Sequence, residues 1–377
     1  MPAQKLLAGA SPVGTNYPHK PVNNKYRVAV VGNLQALNVL TPAFLAVREF
    51  ELAALCGHNE AAIRAAAARY GIAKCHRDWE SLLNDPEIEV VALALPAAAQ
   101  AVAAVKLAAA GKHLFCEKPL AADLAGAQAI RDAVAANRLT ATVNFGFRMI
   151  EAFRDFQLLA RSGLLGRPQL VTVEWLLASR RDPTLTWNWK SDASQGGGTL
   201  NLMASHVLDY LAWCFGGIVK LRLQPRTLVP FRPDAATGRP KAVLADDTCN
   251  LLMTLEPAIS ASATISTAVA VAQGHRMRAW FEAGVLELAN GPGDDYQDGF
   301  KLDFLPAKNA RPELGAEVRR AAQLSKMESS HPGKICVTRR VIEQFALALA
   351  GRENLAPTLN DALMVQKNMD SARQAGW

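Results

Sequence analysis

Short apolar runs alternate with helix-period segments up to about residue 148, and this alternation limits the fold more than any single motif does. The runs Tyr26–Gly32, Phe50–Cys56, 88–95, His113–Cys116 and 141–145 read as strands. Between them, 38–48 is mostly apolar, and 60–70, 97–110 and 122–136 carry helical patterns, with Asn59 as a cap and Gly71 as a stop. Strands separated by helices pair in parallel, because a tight hairpin cannot join them. The expectation is therefore an α/β, Rossmann-like N-terminal domain over 26–148, in which chemistry gathers at the C-terminal ends of the strands.

Beyond residue 149 the pattern changes. A helix over 151–163, a strand over 169–177 and a helix over 200–214 precede strand candidates at 220–229, 247–255, 259–271, 277–281 and 285–288. Strands at hairpin spacing after a helix predict an α+β domain with a large, mostly antiparallel open sheet, assigned to 149–377. The loop 230–243 and the region 290–334 hold much of the remaining Pro, Gly and charge and are expected to run over the surface. Two helices, 336–350 and 359–373, close the chain against something already built. Residues 1–25, rich in Pro, Gly and Asn, are read as a flexible tail without the apolar run of a signal peptide.

A length of 377 residues suits two domains. Net charge is +7 without a dense Lys/Arg block, which favours anionic small ligands over nucleic acid. No 18-residue apolar span occurs, so no membrane partner is expected and the setting is read as cytoplasmic. The cysteines at 56, 75, 116, 214, 249 and 336 form no CxxC pair and read as reduced side chains, with no metal site.

Chemistry concentrates in a few places. A dinucleotide loop wants G-x-G-x-x-G after the first strand, and the chain offers Gly32-Asn33-Leu34-Gln-Ala-Leu37, keeping only the first glycine. At the end of the second strand stand Cys56-Gly57-His58-Asn59, with no carboxylate before Glu60. An uncharged or weakly cationic strand end tolerates a 2′-phosphate, which favours NADP(H) over NAD(H) if a dinucleotide binds; Gly57 and Asn59 equally serve as a plain turn and cap.

Lys118, in Glu117-Lys118-Pro119, falls where a strand meets a helix and is either a solvated lysine or a catalytic one. Three glycines at 196–198 lead into a helix carrying Leu202, His206 and Asp209 on one side. His206 is thus a hydrogen-bonded core residue or, paired with Asp209, an acid/base. Trp187, Trp189 and Lys190 wall a polar cleft or anchor a loop.

The strings Gly111-Lys-His-Leu-Phe-Cys-Glu-Lys-Pro-Leu120 and Gly-Gly-Gly-x-Leu…Ser-His-x-x-Asp at 196–209 resemble the glucose–fructose oxidoreductase, inositol dehydrogenase and related Gfo/Idh/MocA family. Weaker echoes at 78–83, 144–148, 277–288 and 357–362 extend the resemblance from about Tyr26 to Ala375. It implies a Rossmann domain, a C-terminal sheet with helices on one face, and homo-oligomers, dimers or tetramers, built through the other face. It also implies that Lys118 meets nicotinamide and substrate, often beside a cis bond to Pro119, and that His206 moves a proton on a sugar or polyol hydroxyl. The cofactor set becomes Gly32, Asn33, Leu34, His58, Leu95, Pro96, Glu117, Lys118 and Pro119. The substrate set becomes Arg148, Trp187, Trp189, Lys190 and Asp209.

Four departures accompany the resemblance. Leu202 stands where many members carry an aspartate, Leu95-Pro-Ala-Ala-Ala-Gln100 replaces Thr-Pro-x-x-x-His, and Leu34 and Leu37 fill the phosphate loop. The leading expectation is an NAD(P)-dependent oxidoreductase acting on a small hydroxyl/keto compound. The alternatives are a non-catalytic ligand-sensing or scaffold protein of the same fold, and a glycoside-processing enzyme that recycles a tightly held nicotinamide; a non-functional phosphate loop would leave the chain with no cofactor.

Overall fold

The computed structural model describes residues 25–292, 299–322 and 333–375, so residues 1–24 of the expected tail lie outside it. In chain order the first half forms β1 (Tyr26–Gly32), α1 (Thr41–Leu45), β2 (Phe50–Cys56), α2 (Glu60–Tyr70), β3 (Lys74–His76), β4 (Val90–Ala94), α3 (Ala97–Ala109), β5 (His113–Cys116), α4 (Leu124–Ala136) and β6 (Ala141–Val143). The six strands are parallel in the order β3-β2-β1-β4-β5-β6, so the ligand crevice opens above β1 and β4. Val28 to Val31 and Val90 to Leu93 are buried, as a sheet covered on both faces requires. β3 was not anticipated, because Lys74-Cys-His76 has no apolar run and only skirts the sheet edge.

The second half forms α5 (Glu151–Arg161), β7 (Pro168–Leu176), α6 (Ser205–Phe215), β8 (Ile218–Arg226), β9 (Phe231–Pro233), β10 (Pro240–Ala242), β11 (Thr248–Leu255), β12 (Ile259–Ser266), β13 (Gly274–Phe281), β14 (Gly284–Asn290), β15 (Lys301–Pro306), α7 (Leu314–Ala322), α8 (Gly333–Leu349) and α9 (Leu359–Ala375). Seven strands pair as β15-β14-β13-β7-β12-β11-β8, antiparallel except at β7–β12. β14 alternates buried and half-buried residues, so helices cover one face and the other stays open.

Parts of the two expected loops are structured. The 230–243 segment pairs β9 with β10, and 290–334 contains β15 and α7. β15 alternates Lys301 and Asp303 with Leu302 and Phe304, an edge strand whose charge hid it in the sequence.

The closing helices return to the N-terminal domain. Phe345 of α8 stacks on Phe50 at 6.0 Å and meets Phe115 at 5.9 Å, sealing one face of the parallel sheet. α9 reaches α4, where Asp370 accepts the Leu124 amide at 2.6 Å. No described helix is long and apolar enough to cross a membrane.

Candidate active site

β1, β5, β6, α6 and α8 all deliver side chains to one small cavity of about 40 Å³. Gln35 comes from the turn after β1, Glu117 and Lys118 from the end of β5, and Asn144 and Phe147 from beyond β6. His206 of α6 and Lys334 and Thr338 of α8 close it from the other side. The two residues singled out as catalytic, Lys118 and His206, therefore share one space.

Lys118 precedes a cis bond to Pro119. Its Nζ donates to the Leu202 carbonyl at 2.6 Å. Leu202 lies in a π-helical turn, Leu200–Ala204, at the start of the α6 helix. The apolar side chain at that position looked like a lost contact; the main-chain oxygen supplies a polar one. Burial, offset by Glu117 and reinforced by Lys334 and Lys190, pulls the Lys118 amine down to about 8.

His206 is buried against Phe147, with ring centroids 4.8 Å apart. Its Nδ1 has no hydrogen-bond partner among the described residues. Burial, then the nearby Lys118, His275 and Lys334, hold the imidazole well below its ordinary range, so it is neutral at pH 7. Behind it His275, which the sequence analysis passed over, stacks on Trp175 at 4.3 Å and contacts the Tyr210 hydroxyl at 3.0 Å. Burial drives His275 down to about 3, making it a neutral part of the aromatic packing behind His206.

Asp209 does not pair with His206. Its two oxygens accept from Arg148 Nε at 3.0 Å and a terminal nitrogen at 2.6 Å, and Asp361 adds a second carboxylate 2.9 Å from the same guanidinium. Arg148 and Asp209 are brought to each other and are absent from the cavity lining.

Trp187 is also turned elsewhere. Its indole donates to the Ala242 carbonyl at 3.0 Å beneath Lys241, anchoring the β9–β10 hairpin. Trp189 is half-buried and Lys190 exposed beside the glycine loop. Gly198 there has φ +96° with Asp246 Oδ1 2.4 Å from any added Cβ, so a side chain is excluded.

The Glu117–Leu120 loop is held by a residue read only as a departure. Gln100, fully buried, directs Nε2 at the carbonyls of Glu117 (2.7 Å), Pro119 (3.2 Å) and Leu120 (3.1 Å). Its amide keeps polarity at a place where the sequence suggested polarity had gone. Gln100→Leu should cost about 1–3 kcal/mol in urea unfolding, because buried carbonyls lose their donor; an unchanged midpoint would deny Gln100 this role. Glu117 itself accepts from Gln35 at 3.0 Å and Asn144 at 2.8 Å.

The turn after β1 packs tightly against β4 and requires its glycine. Gly32 has φ +135°, and a Cβ there would lie 2.4 Å from the Ala94 carbonyl. Leu34 is 78% exposed and does not fold back into the loop, whereas Leu37 is buried in the core. Helical residues start at 34 and run into a π turn, Ala36–Leu40, just ahead of Pro42, which has no N–H to give. Leu95 and Pro96 are half-buried at the start of α3. At the β2 end His58 is exposed, and Asp78, arriving after β3, sits 3.4 Å from its Nδ1. The sequence reading had no such carboxylate, since Asp78 is distant along the chain.

A six-stranded parallel sheet in the order β3-β2-β1-β4-β5-β6, with a glycine turn after β1 and a cavity at its strand ends, has the architecture of a Rossmann domain. Residues 26–145 match the model of the oxidoreductase family with NAD-binding Rossmann fold, and residues 153–287 match the Gfo/Idh/MocA C-terminal domain. The chain belongs to the Gfo/Idh/MocA family.

Among its relatives, an uncharacterized oxidoreductase of Synechocystis is 28% identical, covering 92% of this chain and 93% of that one. A levoglucosan dehydrogenase of Pseudarthrobacter phenanthrenivorans is 32% identical over 46% of this chain and 45% of that one. In fold, an oxidoreductase domain protein from Kribbella flavida superposes with a TM-score of 0.77 at 22% identity, covering 93% and 96% of the two chains. A levoglucosan dehydrogenase complex with NADH and levoglucosan gives 0.76 at 21% identity, covering 93% and 97%.

Proposed function

We propose that this protein is an NAD(P)-dependent oxidoreductase acting on a hydroxyl or keto group of a small polar, sugar-like compound, with Lys118 and His206 at the reaction centre. The observation that carries the reading is the shared cavity, where a lysine drawn down to about 8 and a neutral imidazole meet at the ends of parallel strands. The family's levoglucosan, D-xylose and inositol dehydrogenases support the substrate class.

A bound nicotinamide supplies the hydride acceptor or donor. Gly32, Asn33 and the helical turn from residue 34 hold the pyrophosphate side, while Leu95, Pro96, Glu117, Lys118 and Pro119 border the nicotinamide side. His206, uncharged at neutral pH, takes the hydroxyl proton during oxidation and returns it during reduction. Lys118 spends one N–H on Leu202 and turns the others toward the developing alkoxide. Gln35 and Asn144 donate to one oxygen of the Glu117 carboxylate and fix it in the cavity wall beside Lys118.

At the adenosine end, His58 suits the 2′-phosphate of NADP(H), and Asp78 suits a free ribose hydroxyl. The pair accepts both dinucleotides, and Asp78→Ala should move the preference toward NADPH. The division at residue 148 separates dinucleotide binding from substrate binding, with α8 crossing back to complete the cavity. The open face of the seven-stranded sheet, with Leu170, Leu252 and Leu305 exposed among polar residues, is the surface for self-association.

Titration with NADH and with NADPH, followed by nicotinamide fluorescence, tests the reading. Saturable binding of at least one, with Kd at or below about 1 mM, is expected. Binding of neither would leave the fold without its redox role and favour the scaffold alternative.

A further inference from the structure

Asp246, in the loop between β10 and β11, turns both its main chain and its side chain to the start of the helix that carries His206. The Thr199 amide donates to the Asp246 carbonyl at 2.9 Å, and the Leu200 amide donates to Oδ2 at 2.8 Å. Such leading amides of a helical run have no acceptor within the helix itself. Oδ1 fits against the backbone of Gly198, where any side chain would collide with it.

The same turn carries the acceptor of Lys118. The Leu202 amide donates to the Gly198 carbonyl at 2.9 Å, and the Leu202 carbonyl receives Lys118 Nζ at 2.6 Å. Where that carbonyl stands is therefore set by where the π-helical turn begins, and His206 follows one turn later. Asp246 is itself anchored to the seven-stranded sheet through its neighbour. The Asp247 amide donates to the Arg226 carbonyl at 3.0 Å, and the Asp247 carboxylate accepts the Leu228 and Val229 amides at 2.8 and 2.9 Å. Burial lifts the Asp246 carboxyl to about 6, with the Leu200 amide and Arg373 opposing and Asp247 adding to the rise. It is still ionised at pH 7, and an anion suits a helix start.

We propose that Asp246 is a positioning residue of the reaction centre: by holding the first turn of the His206 helix, it fixes the Leu202 carbonyl that orients the Lys118 amine. Its consequence for turnover rests on the oxidoreductase reading; its hold on the amine rests on the hydrogen bonds alone. Without the carboxylate the turn relaxes, and Lys118 loses an acceptor that favours its charged form. The amine then gives up its proton at lower pH. A residue that served stability alone would leave that titration in place.

Competitive acetylation of the full chain with acetic anhydride across a pH series, with Lys118 followed by peptide mass spectrometry, tests this without dinucleotide or substrate. In the unaltered protein the amine should titrate near 8. In Asp246→Ala the titration should move about one pH unit lower, the worth of a hydrogen bond to a charged group. Asp246→Asn keeps an oxygen for the Leu200 amide and removes only the charge, so it should titrate close to the unaltered protein. Asp246→Glu keeps the charge but pushes a longer arm against Gly198, so it should move the titration down as Ala does. Glu117, His206, Lys190 and Lys334, which surround or act on Lys118, are the same in every variant.

A Lys118 titration unchanged in Asp246→Ala and Asp246→Glu would overturn the proposal. So would Asp246→Asn moving it as far as Ala, because charge and not position would then be the cause. Should Asp246→Ala fail to fold, the contrast between Asp246→Asn and Asp246→Glu decides the question. Failure of NADH to bind would remove the redox reading and leave this titration as informative as before.

Discussion

Lys118→Ala and His206→Ala are each expected to lower kcat by roughly 10²–10⁴-fold, the contribution of a positioned acid or base. Dinucleotide affinity should change far less under the proposed placement of the pyrophosphate over Gly32 and its neighbours. The pH profile gives the sharper check. Lys118 is held down to about 8 by burial, so the charged form proposed to steady the alkoxide is present below that value and lost above it. His206 lies well below its ordinary range and remains neutral from mildly acidic pH upward. Turnover should therefore run level through neutrality and fall above about pH 8, and Lys118→Arg should remove the alkaline fall while lowering the plateau. A profile that fell on the acid side of neutrality alone would assign the titrating group elsewhere.

Arg148→Met should be the most destabilising single change, at about 3–5 kcal/mol in urea unfolding, because it leaves a buried carboxylate without its cation. Asp209 is 1% exposed, and burial lifts it to about 6 even with the guanidinium in place, with the Asp361 charge adding to the rise. Removing Arg148 raises it further above its unfolded value. A carboxyl whose folded pKa is raised gives stability that is present at low pH and lost as pH rises through that pKa. The deficit of the variant should thus narrow as pH is lowered from 7 toward 5. A deficit independent of pH would mean that lost packing, and not the stranded charge, governs the effect.

The sequence showed best what local pattern controls. β1, β2 and β5 have the expected limits because their C-terminal residues form apolar runs buried on both faces. The α2 cap and stop were equally visible, with Asn59 accepting the Ala62 amide and Gly71 at φ +70°. What escaped depends on long-range return of the chain. Lys334 reaches the cavity only because α8 packs back over Phe50 and Phe115, and no neighbour in sequence announces it.

Backbone groups were invisible for another reason. The Leu202 carbonyl that holds Lys118 exists whatever side chain stands at position 202. Arg148 and Asp209 look alike in sequence whether they meet a ligand or one another, since both are charged residues near a site, 61 positions apart. Gln100 shows the converse: its side chain departs from the family pattern, yet its amide still holds three carbonyls of the Lys118 loop.

The central claim is that Lys118 and His206 face one nicotinamide. A structure of the protein determined with NADH bound tests it most directly. The nicotinamide ring is expected beside the Glu117–Pro119 loop, with Lys118 and His206 on the substrate side of the ring and the pyrophosphate over Gly32 and Asn33. A dinucleotide seated away from that cavity, or excluded from the first turn by Leu34, would contradict the account.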